Sequence, residues 1–410
     1  MRILHLSMLY PPHVHGGAER SVAMLAEATR ALGHDVAAAC IDPVGEPPQD
    51  RNGVRVYRMP HETDFWPLDW PKHSRPERFI AKFKQQFNTA IEARFGEVLD
   101  DFRPDVVHTH SLLDVSTLVW RAAKTRGLPI VHTLRDYVLL CSNASLFQDG
   151  HRCETRHLKC RLNTFRKIQH QRMVDGVAAV GAETLQTHLD HGLFAHIPPA
   201  DRRVIWNPAV VEGAGPGYVK PSRDGRPFTF GYLGRINTEK GVETLLRACR
   251  ALERSDWELV IAGKANDSVA PFEAMAAGMP VRFAGFMDPK EFFESIDVLV
   301  VPSIWPEPLP RTILESYAMG VAVIGADSGG IPDLIGSDPE GRWLFPPDDD
   351  VRLRDLMLKT IGEGRDALPA AGSFGRVLVE TRPEIVAERY LQFYRDTIAR
   401  VGPQRARAAA

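Results

Sequence analysis

Short β-rich runs alternate with helix-like stretches along this chain, and the alternation happens twice. The first series is RILHLSM (2–8), DVAAACI (35–41), VRVYRM (54–59), DVVHTH (105–110), PIVHTL (129–134) and GVAAVG (176–181). The second is FTFGYLG (228–234), WELVIAG (257–263), PVRFAG (280–285), DVLVVPS (297–303) and VAVIGA (321–326). Strands that are apolar throughout and separated by helices belong to parallel sheets covered on both faces. The expected class is therefore α/β, with two Rossmann-like, doubly wound parallel-sheet domains in succession.

Between the two series lies WNPAVVEGAGPGYVKPSRDGRP (206–227), rich in Gly and Pro and without periodicity, which reads as a linker. The expected domains are 1–206 and 228–382, joined by 207–227. A final helical pattern, PEIVAERYLQFYRDTIARV (383–401), can pack on either domain, including back on the first. A length of 410 residues is too great for one hydrophobic core. A net charge of −2 supplies no global field for gripping nucleic acid. No apolar run reaches the roughly 18 residues of a membrane span, and Pro11 and Pro12 interrupt the N-terminal apolar stretch. The expected location is the cytoplasm.

Ligands of doubly wound sheets bind beyond the carboxyl ends of the strands, so the loops that follow strands carry the candidates. In LYPPHVHGGAERS, Gly16 and Gly17 open a helix whose free N–H groups favour an anion; a turn needing positive φ is the plainer explanation. In YLGRINTEKG, Gly234 ends a strand, with Arg235 at its tip and Lys240 just before a helix striped with Val242, Leu245, Leu246 and Cys249. A planar fork, a point charge and a helix dipole suit a diphosphate, although two loop cations are commonly only solvated surface. In WPEPLPRTILES, prolines keep Glu307 in a loop while Arg311 starts a helix that carries Glu315 about one turn in. Two carboxylates that only accept hydrogen bonds suit vicinal diols, and surface charge is the alternative for each.

The order HGGAERS, YLGRINTEKG, VVPSIWPEPLPRTILESYAMG and GADSGGIPDLI resembles family 4 of the retaining glycosyltransferases, which have the GT-B fold. The resemblance spans nearly the whole chain and is most specific in the C-terminal half. It implies two domains facing each other across a cleft and a nucleotide diphosphate sugar as donor, with Arg235 and Lys240 neutralising the diphosphate. Glu307 would hold the donor sugar and Glu315 the ribose. Gly17 would supply a backbone donor from the opposite domain, Gly263 and Phe286 would lie near the base, and the amides around Leu309, Arg311 and Thr312 would face the phosphates.

Three positions depart from that pattern. Arg135 stands where many relatives have a histidine after the PIVHTL strand. It is permanently cationic and able to polarise a hydroxyl or phosphate, but unable to shuttle a proton. His132 should point to the other face of the sheet. Pro208 replaces a usual glycine in VIWNPAV, and Asp333 replaces a usual glutamate. His110, Arg135 and Asp136 are the acceptor-side candidates.

Charge developing on the leaving oxygen would be met by Arg235, Lys240 and the helix start at Thr312, so catalysis is expected without metal or cofactor. The cluster Asp348, Asp349 and Asp350 reads as a helix cap rather than a metal site. Retention is expected with the departing phosphate oxygen accepting the acceptor's proton, which makes the two glutamates holders of hydroxyls rather than an acid/base pair.

For the acceptor, a glycan or a lipid-linked or small molecule, SRPERFIAKFKQQFNTAIEARF (74–95) places Phe79, Phe83, Phe87 and Ile91 on one helical stripe after Trp66 and Trp70. That stripe either faces the core or lies against a lipid surface. The basic stretch 151–172 suits anionic lipid or simple solvation, so peripheral membrane contact is an open expectation. It also holds Cys153 and Cys160, near Cys141, His151 and His157. Zinc is conceivable there, but no C-x2-C pair occurs and free buried thiols are the expectation. A phosphorylase or epimerase on the same scaffold, or a non-catalytic nucleotide-sugar-binding scaffold, remain as other classes. The co-occurrence of Arg235, Lys240, Glu307 and Glu315 favours an enzyme.

Overall fold

The computed structural model describes residues 1–14, 16–215, 218–265, 268–336, 342–369 and 371–409, with the side chains of 371 and 403–409 left out. The chain forms two compact units. One comprises 1–146, 153–208 and 383–410, and the other comprises 147–152 and 209–382. Pro216 and Gly217, inside the expected linker, lie outside the described residues.

In the first unit the strands are β1 (Arg2–Leu6), β2 (Asp35–Asp42), β3 (Glu46–Arg51), β4 (Val54–Pro60), β5 (Val106–Thr109) and β6 (Ile130–Leu134), with β9 (Gly176–Ala179) and β10 (Arg202–Val204) further on. The pair that falls between them in sequence, β7 (Phe147–Gln148) and β8 (His151–Arg152), belongs to the second unit and forms its own antiparallel ribbon. The sheet order is β10-β9-β6-β5-β1-β2-β4-β3, parallel except where β3 folds back on β4. Chain order runs outward in both directions from the β1/β5 boundary, which makes that boundary the switch point. Six of these strands coincide with the apolar runs read from the sequence. The edge strands β3 and β10 were missed: EPPQDR is polar and fully exposed, and β10 is only three residues long.

The helix Pro383–Ala409 belongs to the first unit. Its Val386, Ala387, Tyr390, Leu391, Phe393 and Tyr394 join Ile3, Val106, Val131 and Ala178 in one buried cluster. Tyr394 Oη lies 2.6 Å from His108 Nδ1, and Tyr390 Oη lies 3.0 Å from Thr133 Oγ1. The opposite face of the sheet is covered by the helix Leu118–Thr125, where buried Trp120 donates to Thr109 Oγ1 at 2.9 Å. Gly176 admits this packing, because a Cβ there would come within 2.8 Å of the Phe393 ring.

The single stripe expected over 74–95 is divided between two helices, Arg75–Gln85 and Thr89–Phe102. Phe87 N–H bonds back to Lys84 O at 2.9 Å, and Asn88 Oδ1 accepts from Ile91 N at 3.1 Å, so the first helix tightens out and the second is capped anew. Ile91 then faces the core, while Phe83 and Phe87 remain at the surface.

In the second unit the strands are β11 (Phe228–Leu233), β12 (Trp257–Ala262), β13 (Val281–Gly285), β14 (Val298–Val301), β15 (Ala322–Ala326) and β16 (Leu344–Phe345), ordered β13-β12-β11-β14-β15-β16 and all parallel. The switch point here lies between β11 and β14. Asp297, buried at the start of β14, anchors the Arg365 fork at 2.9 Å on each oxygen, meets Arg223 Nε at 3.4 Å, and accepts from Thr229 N at 2.8 Å. Lys220 donates to Ile296 O and Tyr218 to Glu294 at 2.6 Å, so residues 218–223 lie along this unit rather than free of it. Asp349 caps the helix Asp350–Glu363 through Arg352 N at 2.8 Å, while Asp348 and Asp350 pair with Arg247.

Candidate functional site

The loops that follow β11 and β14 meet at the second switch point, and three glycines set how closely. Gly241, at φ +70°, follows Lys240, and a Cβ there would fall 1.8 Å from Pro302 O at the end of β14. The Ile304 and Trp305 amides donate to Glu239 O at 3.0 and 3.2 Å, fastening the two loops together. Gly329, at φ +62°, and Gly330 lie under the Glu307 backbone. A Cβ on Gly329 would meet Glu307 O at 2.1 Å, and Gly330 N donates to that oxygen at 2.7 Å. Ser328 Oγ donates to Trp305 O at 2.8 Å. The proline-rich stretch is thus a rigid shelf held from below, in keeping with the inability of its prolines to donate to a helix ladder.

On that shelf Lys240 Nζ lies 2.5 Å from Glu307 Oε1, and Ser303 Oγ donates to Oε2 at 2.8 Å. Both charged side chains are about 15% exposed, at 15% and 14%, so water screens the pair only weakly while ligand can still reach it. The Lys240 ammonium also sits 5.2 Å from the centre of the Trp305 ring. Asn237 Oδ1 holds Lys240 N at 3.1 Å. Tyr232 donates its phenol proton to Arg235 O, and burial first, then the Glu307 charge, push its pKa well above the ordinary value. Glu307 and the Arg235 cation therefore both act on one buried phenol. Arg235 itself is exposed at the strand tip. Gly234 and Gly263 cross at contact: a Cβ on Gly263, at φ +137°, would fall 1.8 Å from Gly234 O.

The helix Arg311–Ala318 starts after Pro310 with no side-chain cap. Glu315 lies one turn in, where Arg311 Nη2 approaches its Oε1 at 3.3 Å, both side chains being nearly buried. Leu309 is buried, Thr312 half-buried, and Phe286 stands 79% exposed beyond β13. The second unit thus brings Arg235, Lys240, Glu307, Gly234 and Gly263 around one switch point, with Leu309, Arg311, Thr312 and Glu315 on the adjoining helix start. Phe286 follows Gly285, whose carbonyl accepts from Gly263 N at 2.7 Å. Sequence reasoning did not single out Ser303, Trp305 or Gly329; the four-residue spacing of Ser303 and Glu307 was the available signal.

In the first unit the candidates gather at the β1/β5 switch point. Arg135, buried after β6, donates from Nε to His110 Nδ1 at 3.2 Å and from Nη1 to Asn207 Oδ1. His110 must then carry its proton on Nε2, which lies 3.0 Å from His5 Nδ1. His5 Nε2 is left as a buried donor without a partner. Burial first, then Arg135, lowers the His5 pKa to about 3; burial also lowers His108 and His110 well below the usual value. Among the described residues, His5, His108 and His110 form a group whose nitrogens lie within 4.8 Å of one another. They do not suit a cation, because His108 is occupied by Tyr394 and Thr133, His110 by Arg135 and His5, and a permanent positive charge adjoins. His132 sits on the other face, against Trp120 and bonded to Thr109 Oγ1 at 2.9 Å. Asp136 accepts from Ser111 Oγ and from Val138 N at 2.8 Å, and burial raises its pKa.

Gly16 is extended at φ −159°, so positive φ does not explain it. Its N–H donates to Glu19 Oε2 at 3.0 Å in a capping box, which spends that amide within the helix Gly17–Ala31.

Comparison with known proteins agrees along both units. The family described as "Glycosyl transferase 4-like domain" matches residues 16–208, and "Glycosyl transferases group 1" matches 227–363. An uncharacterized 42.6 kDa protein in the cps region of Klebsiella pneumoniae is 27% identical over 82% of this chain and 87% of its own. An uncharacterized glycosyltransferase of Methanocaldococcus jannaschii is 25% identical over 95% and 94%. Glycogen synthase of Mycobacterium tuberculosis is 26% identical over 85% and 83%. Among solved structures, sucrose-phosphate synthase from Thermosynechococcus elongatus aligns with a TM-score of 0.71 at 20% identity over 97% of this chain and 99% of that one. Anabaena HepE in complex with UDP-glucose aligns at 0.62 and 16% over 99% of each.

Proposed function

Because the chain belongs to the family 4 glycosyltransferases of GT-B fold, we propose that it moves a hexose-type sugar with retention from a nucleoside diphosphate sugar to a glycan, lipid-linked or small-molecule acceptor, in cell-surface polysaccharide or glycoconjugate synthesis. The observation that carries this reading is the Lys240–Glu307 pair, nearly buried at the second switch point and backed by Ser303, with Arg235 at the neighbouring strand tip. Cations fixed there are aimed where a diphosphate develops charge as its bond to the sugar breaks, and they need no reorganisation as it does so. Glu307 and Glu315 hold sugar and ribose hydroxyls, as acceptors of hydrogen bonds only.

On binding, the diphosphate competes with Glu307 for the Lys240 ammonium and frees one carboxylate oxygen for a donor hydroxyl. The leaving phosphate oxygen takes the acceptor's proton, so no carboxylate nucleophile is required. Arg135, held by His110 and Asn207, supplies a fixed positive charge on the acceptor side.

A surface patch supports peripheral contact with an anionic membrane carrying the acceptor. Phe83, Phe87 and Phe165 form a ring cluster at 5.6–6.3 Å, with exposed Ile80 in the helix Arg75–Gln85 and exposed Leu162 in the helix Leu158–His170. The Arg166 guanidinium stands 5.2 Å from the Phe87 ring, and Lys84, Lys159 and Arg161 lie on the same helices. Apolar side chains rimmed by cations suit a headgroup boundary.

The testing experiment is a thermal-shift screen against UDP, GDP, ADP and dTDP sugars, followed by transfer assays with the stabilising donor. One donor should raise the melting point in the wild type and lose most of its turnover in Glu307→Gln. Full turnover in that variant would overturn the assignment.

A further inference from the structure

Lysine is a point charge on a flexible four-carbon stem, and the proposed function requires Lys240 to leave Glu307 for a diphosphate without leaving the site. Its ammonium has three donors and no acceptor. Glu307 Oε1 lies 2.5 Å from that nitrogen, which also stands 5.2 Å from the centre of the Trp305 ring. A cation within about 6 Å of an aromatic centroid is attracted by the quadrupole of the ring, and an indole attracts it most. The attraction brings no negative charge with it. A second carboxylate in the place of the ring would hold the lysine as well, but it would also repel a diphosphate.

Trp305 is placed by its backbone rather than by its polar edge. It precedes Pro306, which restricts it to extended conformations. Its amide donates to Glu239 O at 3.2 Å, so a backbone bond ties the ring's own residue to the residue immediately before Lys240. Its carbonyl accepts from Ser328 Oγ at 2.8 Å, next to the Gly329 and Gly330 that lie under Glu307. The indole Nε1–H, by contrast, is buried and has no hydrogen-bond partner among the described residues. A buried donor left unpaired opposes its own burial, so the polar edge does not account for where the ring lies. What the ring offers at this place is its face, and the Lys240 ammonium is on it.

We propose that Trp305 is a positioning residue for diphosphate binding, whose ring keeps the Lys240 ammonium at the second switch point when Glu307 gives it up. The inference rests on the proposed function and deepens it. Lys240 then has one partner that it exchanges and one that it keeps. Before the ligand arrives it bonds Glu307 and lies against the ring. With a diphosphate bound it keeps the ring, turns a donor to a phosphate oxygen, and leaves the carboxylate to a donor-sugar hydroxyl. No covalent bond forms or breaks in the exchange. Because the ring acts only through Lys240, it matters to a ligand that carries the second phosphate and hardly at all to one that lacks it.

The test is isothermal titration of UDP, GDP, ADP and dTDP, and of the four matching monophosphates, into wild type, Trp305→Leu, Trp305→Phe and Lys240→Met. Wild type is expected to bind at least one diphosphate roughly tenfold tighter than its monophosphate. Trp305→Leu should weaken that diphosphate about tenfold and the monophosphate less than about twofold, and Trp305→Phe should recover most of the loss because a ring remains. On a Lys240→Met background, Trp305→Leu should cost nothing further. Wild type and Trp305→Leu binding the diphosphate equally well would overturn the inference alone. So would an equal loss for diphosphate and monophosphate, the mark of a residue that only supports the fold. A wild type that favours no diphosphate over its monophosphate would overturn the proposed function, and this inference with it. If Trp305→Leu does not fold, the chain made with fluorinated tryptophan, which weakens the ring face at nearly the same shape, should show the same selective loss. Unchanged diphosphate affinity in that protein would also overturn the inference.

Discussion

Lys240 and Glu307, 67 positions apart in sequence, stand 2.5 Å apart, each held by a neighbour of its own: Asn237 on the lysine backbone and Ser303 on the carboxylate. Under the proposed function the pair is a ground state that an incoming diphosphate rearranges, so the two residues should act as a unit. Lys240→Met and Glu307→Gln are each expected to lower kcat/KM roughly 100-fold, about 2.7 kcal/mol, and the double variant should fall well short of the product of the two. Steady-state kinetics on the four proteins of the cycle check this, and full additivity would mean that the residues work separately.

Gly241 sets the distance between the loops. Gly241→Ala places a Cβ against Pro302 O at positive φ and is expected to cost on the order of 2–4 kcal/mol. It should also abolish the donor-induced thermal shift, because Lys240 moves with the loop. A variant that melts like the wild type and still responds to donor would show that the loops have room to part.

Buried neutral histidines make the first unit sensitive to acid. His5 and His132 are lowered to about 3 and His188 to about 4, burial being the largest cause for each, against 6.5 in an open chain. Between those values the unfolded chain takes up protons that the folded one refuses. Stability is therefore complete above about pH 6.5 and falls as pH drops toward 3, by up to about 1.4 kcal/mol per pH unit for each histidine. Near-ultraviolet circular dichroism should show loss of tertiary signal with a midpoint on the order of pH 5. A flat profile from pH 7 to 4 would contradict the neutral assignment.

Asp297 anchors two arginines and a strand amide inside the second unit. Asp297→Asn removes the carboxylate that Arg365 grips with both nitrogens and leaves Arg223 only Glu258, 3.6 Å away, and should destabilise by about 3–5 kcal/mol. Denaturant melts would read this directly, and a change under about 1 kcal/mol would mean that water compensates the cations.

The aromatic patch on the first unit gives a binding prediction. Phe83→Ser with Phe165→Ser should reduce cosedimentation with phosphatidylglycerol vesicles by about tenfold, while leaving transfer to a soluble acceptor unchanged. Undiminished cosedimentation would assign any vesicle binding to the basic side chains alone.

Much of the architecture was legible because runs such as VLVV and ELVIA can be buried only as interior strands, and because prolines at 306, 308 and 310 prohibit a helix before Arg311. The shared location of Arg235, Lys240 and Glu307 followed from the rule that ligands bind beyond strand ends. Their pairing did not, since the contact depends on glycines at 241, 329 and 330 whose neighbours come from remote loops. The break at 86–88 escaped because the periodic stripe of Phe79, Phe83, Phe87 and Ile91 runs across it, while its local signal was Asn88, whose Oδ1 caps Ile91 N and whose amide donates to Glu62 O at 2.6 Å. The Arg135–His110–His5 relay was equally hidden, as it joins three strands' ends.

Tyr390 and Tyr394, bonded to Thr133 and His108, come from a segment made after the entire second unit. The N-terminal half of the chain must therefore wait, its apolar sheet face uncovered, until synthesis has passed residue 394. A fragment ending near residue 208 would never receive that cover, and chaperone dependence should concentrate in this interval of translation.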